Sequence, residues 1–177
     1  GSTFENSVGY WLASGQSPSD DATAKEIASS YAKAARAVAP LMFSSKPMVL
    51  KSEQIIFGGF SASFKLARAL STGKPPSAVW LPAAASIVLY WTAVSFSPMP
   101  PPPGGLTGIT NITMVPGLPT PLNMQIGSAF QAEDPWDAAE QLNSAMENHL
   151  KTVTGLWTGT APGTPPIPFV FPWVGLK

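Results

Sequence analysis

His149 is the single histidine of this chain, and the chain has no cysteine, so proton transfer and nucleophilic attack have few residues to draw on. The nearest acid is Glu147, two positions earlier. Two residues apart on a helix point in different directions, so the pair does not make an acid–base couple. Asn148-His149-Leu150 offers one nitrogen ligand where a zinc site needs several. Four carboxylates gather at Glu133, Asp134, Asp137 and Glu140. They lack the spaced oxygen ligands and central glycine of a calcium loop, and negative charge at a helix start accounts for them. "STGKPPS", from Ser71 to Ser77, has a Gly-Lys without the glycine spacing of a phosphate loop. No Gly-x-Ser-x-Gly elbow occurs. Asn111-Ile112-Thr113 has the form of a glycosylation sequon, a pattern short enough to recur by chance. These residues predict a non-enzymatic protein with no catalytic, cofactor-binding or metal-ligating group and no cofactor.

Ten basic and ten acidic residues balance to zero net charge in 177 residues. A nucleic-acid binder needs clustered Lys and Arg to neutralise phosphates, so no nucleic-acid partner is expected. The charges are unevenly spread. Residues 1–74 hold eight basic and five acidic groups, residues 75–132 none, and residues 133–177 two basic and five acidic. The length fits one domain, residues 1–177, with ample material for a core. The opening "GSTFENSVGYW" has neither a basic start nor a long apolar stretch, so it does not read as a signal peptide.

Capping and periodicity place the helices. Phe4, Val8, Trp11 and Leu12 form one stripe over residues 4–13. Ser17 and Pro18 start a second helix over 19–38, with Ile27, Ala28, Tyr31, Ala35 and Val38 on one side. A third, over 52–71, has Ile56, Phe60, Phe64 and Ala67 on its apolar face. Its internal Gly58-Gly59 weakens it by roughly 1 kcal/mol per glycine, which predicts close approach of another backbone. Asp134, Pro135 and Asp137 open a helix over 135–153, with Ala139, Leu142, Met146, Leu150 and Val153 buried and His149 near the boundary.

Between them lies Ala78 to Phe96, without a charge. Its 19 residues come close to the length of a membrane span. Pro82, Ser86, Thr92 and Ser95 interrupt it, and no basic residue follows before Lys151. A buried central helix over 77–96 explains the composition better, and Val88 and Leu89 are expected in the core. The fold class expected is therefore mainly α, a single-domain helical bundle with a buried central helix, Pro-rich connectors and an extended C-terminal tail.

"SPMPPPPGG", residues 97–105, reads as a stiff polyproline connector. Leu106 to Val115 alternates as a strand does. Residues 156–177 form the tail, rich in Pro, Gly and aromatics. Phe169, Phe171 and Trp173 alternate with Val170, Pro172 and Val174, so both faces of an extended segment are apolar and need cover. Together with Pro165 and Pro166 they are the candidate interaction residues, expected to pack on this subunit or on a neighbour.

The ending "HLKTVTGLWTGTAPGTPPIPFVFPWVGL", with Ala-rich helices and an internal proline run, resembles small structural proteins of tailed bacteriophages. The resemblance implies a virion or assembly role, with the protein in the virion or in the host cytoplasm during assembly. Its partners would be further copies in a homo-oligomer or other virion proteins. Two other roles fit the composition: a binding module for an apolar or carbohydrate ligand using Trp80, Tyr90, Trp91 or Trp136, and a membrane-associated protein using residues 78–96.

Overall fold

The computed structural model describes residues 17–38, 47–48, 52–70, 75–93, 95–96, 109–115, 118–161 and 167–174. The expected helix over 4–13, the connector over 97–105, and Pro165 and Pro166 lie outside them. The described chain is mainly α. It runs from helix α1 (Ser17–Val38) to α2 (Ser52–Ala69), a 3-10 turn (Ser77–Trp80), α3 (Leu81–Ala93), α4 (Leu122–Gln131) and α5 (Pro135–Leu150).

α1 and α2 lie side by side because their apolar stripes meet. Ile27, Ala28, Tyr31 and Ala35 of α1 and Ile56, Phe60, Phe64 and Ala67 of α2 are all buried. Polar pairs fix the antiparallel register at both ends. Arg68 donates from Nη2 to Asp20 Oδ1 at 2.7 Å and from Nε to Oδ2 at 3.0 Å. At the other end Ser29 Oγ donates to Glu53 Oε1 at 2.7 Å. A planar guanidinium matches a carboxylate through two parallel bonds, which sets geometry as well as energy.

α3 packs mainly on α2, and the glycine pair explains how. A Cβ at Gly59 would run into Ser86 and come within 2.6 Å of the Pro82 carbonyl oxygen, whereas one at Gly58 would meet open space. Only the second glycine of the pair therefore serves close packing. Gly59→Ala should destabilise by about 1–3 kcal/mol through overpacking, and Gly58→Ala should stabilise by about 0.5–1 kcal/mol through helix propensity. Denaturant midpoints of the two variants moving in the same direction would contradict this packing.

The 3-10 turn delivers Trp80 to the centre. Its ring stacks on Phe130 of α4 (centroids 4.8 Å, interplanar 13°) and meets Phe64 edge-on at 5.9 Å. Gly127 of α4 leaves room for it, since a Cβ there would stand 2.9 Å from Trp80 Cδ1. α4 is a helix that the sequence reading did not place. It packs on α5, whose start is as expected: Asp134 accepts from the Trp136 N–H at 3.1 Å, with Pro135 in the first turn. α5 ends at Leu150, where the Thr152 N–H and hydroxyl both donate to the His149 carbonyl at 2.9 and 2.6 Å. His149 itself is buried on this helix rather than at its surface.

The helix expected over 77–96 is shorter than that. The 3-10 turn takes its first residues, the α-helix ends at Ala93, and Ser95–Phe96 forms strand β2, paired with β1 (Pro47–Met48). Three further strands form one antiparallel sheet in the order β3-β4-β5, from Ile109–Val115, Thr154–Ala161 and Ile167–Val174. The described residues of the tail are extended: 156–161 belong to the central strand β4, and 167–174 form the edge strand β5. Pro168 and Pro172 stand opposite Thr160 and Leu156 of β4. An edge tolerates proline because one row of its backbone groups needs no partner within the sheet.

Candidate interaction surface

α3 shows how chemistry and position part company in this chain. Ala83, Ala84, Ser86, Ile87, Tyr90 and Trp91 face the core. Leu81, Ala85, Val88, Leu89 and Thr92, at i, i+4, i+7, i+8 and i+11, share the opposite side. Leu81 is 39% and Leu89 53% exposed, Thr92 is exposed, and Ala85 and Val88 are half-buried. The expectation that Val88 and Leu89 belong to the core is thus corrected. The reason is physical: both sides of this helix are apolar, so hydropathy gives no moment to orient it. The outcome is an uncharged apolar stripe on the surface; Leu118, Met124 and Trp136 are exposed elsewhere.

Polar links tie the core side of α3 to α1 and α2: the Ala83 N–H donates to Ser63 Oγ at 3.0 Å. The Trp91 indole N–H donates to the Tyr31 hydroxyl at 2.7 Å, and Tyr90 meets the Tyr31 ring edge-on at 5.4 Å. Burial pushes the Tyr31 phenol well above its ordinary range. The Trp91 hydrogen bond works in the opposite direction, and Tyr90 adds to the rise. Since the unfolded phenol ionises near pH ~10 and the folded one does not, the stability that this burial confers is complete below that pH. It is lost progressively as pH rises above it. Tyr31→Phe removes the acceptor of Trp91 and should cost about 1–3 kcal/mol at neutral pH. Melting curves taken across the alkaline range should also flatten in that variant; an unchanged alkaline slope would contradict the assignment.

Of the aromatics considered as ligand platforms, Trp80, Tyr90 and Trp91 are fully buried core residues. Trp136 alone is exposed, at 62%. A groove of about 370 Å³ runs between α4 and α5, lined by Gln125, Ser128, Glu140, Gln141, Ser144 and Asn148 among others. It contains no aromatic, whereas ligand pockets are mostly apolar with a few placed polar groups. Among the described residues no group of three or more His, Asp or Glu converges as a metal site. No described helix is long and apolar enough to cross a membrane.

Phe169, Phe171 and Trp173 lie on β5 opposite Gly159, Trp157 and Gly155 of β4. All three stand at alternate positions of that strand. Pro165 and Pro166 precede that strand, outside the described residues. Leu81, Leu89, Leu118 and Met124 are surface residues that sequence reasoning missed. The i, i+4, i+8 spacing of Leu81, Ala85 and Leu89 was visible, but the buried side of the same helix carries an equally apolar pattern.

Compared with known proteins, the chain matches no family model, no curated sequence and no solved structure.

Proposed function

We propose that this is a non-enzymatic structural or assembly protein that acts by packing against other protein surfaces, as a component of a bacteriophage virion. The observation that supports this reading most is the uncharged stripe of α3, where Leu81 and Leu89 are exposed beside Ala85, Val88 and Thr92. A contiguous apolar strip of this kind marks an interaction site more often than chance exposure does. The partners are further copies of the chain or other virion proteins, and the resemblance of the C-terminal segment to phage structural proteins points to the same role.

The stripe also supplies the test. Leu81→Lys with Leu89→Lys changes only exposed positions, so the double variant should keep the wild-type melting temperature. Expressed during particle assembly, the wild-type chain should band with particles on a density gradient and the double variant should remain at the top. Equal banding of both, or wild-type chain found only at the top, would contradict the proposal.

A further inference from the structure

The three-stranded sheet has two edges, and they are chemically unlike. In a strand the backbone groups of alternate residues point to alternate sides, so Pro168 and Pro172 of β5, four residues apart, share one side. Proline has no N–H to donate. Pairing with β4 is satisfied in full only when the prolines face away from it, which leaves the ladder to Ile167, Phe169, Phe171 and Trp173. The outer edge of β5 then presents an alternation of Pro168, Val170, Pro172 and Val174, and half of its donors are missing. Prolines on an edge are a means by which sheets refuse a further strand.

β3, which α3 also approaches, is built differently. Ile109–Val115 contains no proline and no charged residue, and five of its seven residues are β-branched. Its ladder to β4 shifts once, between Ile109 and Asn111, and is regular from Asn111 to Val115. Its other side pairs with no described strand.

We infer that the edge of β3 that pairs with no described strand is a strand-addition site for β3 of a second copy, joining two three-stranded sheets into one of six strands about a two-fold axis. This deepens the assembly reading above and rests on it. Self-pairing sets every residue against a residue of the same strand, so a charge near the axis would face its own like. β3 carries none, which removes that repulsion. The regular run is centred on Thr113, so an antiparallel two-fold pair places Thr113 opposite its own counterpart and Asn111 opposite Val115. Because the prolines block the outer edge of β5, pairing through the sheet stops at two chains and gives a closed dimer in place of a filament.

The absence of cysteine from the chain makes crosslinking a clean test. Cross-strand neighbours have Cα atoms about 4.5–5.5 Å apart, within the span of a disulfide. Under mild oxidation, Thr113→Cys should convert mostly to a covalent dimer. Asn111→Cys mixed with Val115→Cys should form the mixed dimer in preference to either self-dimer. Val170→Cys on β5 should stay monomeric on the same gel. Melting of each reduced variant confirms that it is folded. Crosslinking at Val170→Cys, or at none of the β3 positions in folded variants, overturns the inference. If the chain still sediments as an oligomer in that case, the edge assignment fails alone and the assembly reading stands.

Discussion

Ile87→Asp is expected to abolish folding, whereas Leu89→Asp, two residues along the same helix, is expected to leave the fold intact. Ile87 is fully buried against the core and Leu89 is 53% exposed. A carboxylate at position 87 has no cation among the described core residues of α3, and burying an unpaired charge costs several kcal/mol. Domains of this size are stable by only about 5–15 kcal/mol in total. The same carboxylate at position 89 keeps its water and should cost less than about 1 kcal/mol, as surface changes commonly do. Circular dichroism and thermal melting distinguish the two at once. Native-like melting of Ile87→Asp, or loss of helix in Leu89→Asp, would mean that α3 is rotated from the orientation described.

The second large effect concerns tryptophan. Trp80→Ala should cost about 3–5 kcal/mol, the usual range for removing a large buried aromatic. The ring is 1% exposed, stacks on Phe130, meets Phe64 and fills the space that Gly127 leaves. Its loss opens a cavity where α2, α4 and the 3-10 turn meet. Trp136→Ala removes the same indole from a site 62% exposed and should change stability by no more than about 0.5 kcal/mol. Denaturant midpoints of the two variants measured together provide the comparison. Similar losses at both sites would contradict the core assignment of Trp80.

Much of the helical frame could be read from local signals. α1 and α5 combine a start signal with a one-sided apolar stripe, α2 carries such a stripe, and the observed limits of all three fall within a few residues of those expected. α4 went unread because no charge or side-chain cap marks its beginning: Pro121 occupies the cap position and makes no side-chain bond. Its stripe of Leu122, Ile126, Ala129 and Phe130 is nonetheless helical in spacing. α3 was read as a helix but not oriented, since a near-uniform apolar composition carries no directional information. The sheet was half legible. β3 alternates and the tail had to be extended, whereas β4 contains Gly155 and Gly159, residues that weaken a strand when judged locally. β4 pairs on one side with β3, which is distant in sequence, and on the other with β5, and that double pairing is not a local property.

Phe169, Phe171 and Trp173 take alternate positions of the edge strand β5, as their spacing in the sequence has it. The exposed leucines of α3 were not identified, because an apolar residue in an apolar run looks the same whether it faces a core or a partner. Tertiary packing alone separates the two cases.

The claim at the centre of this account is that the chain works by associating with protein surfaces, its own copies included. Sedimentation equilibrium of the intact chain in detergent-free buffer, over a range of concentrations, tests it most directly. The account predicts a discrete species at a whole-number multiple of the 18.5 kDa chain mass, with dimer as the smallest unit. A single species at 18.5 kDa at every concentration would contradict it.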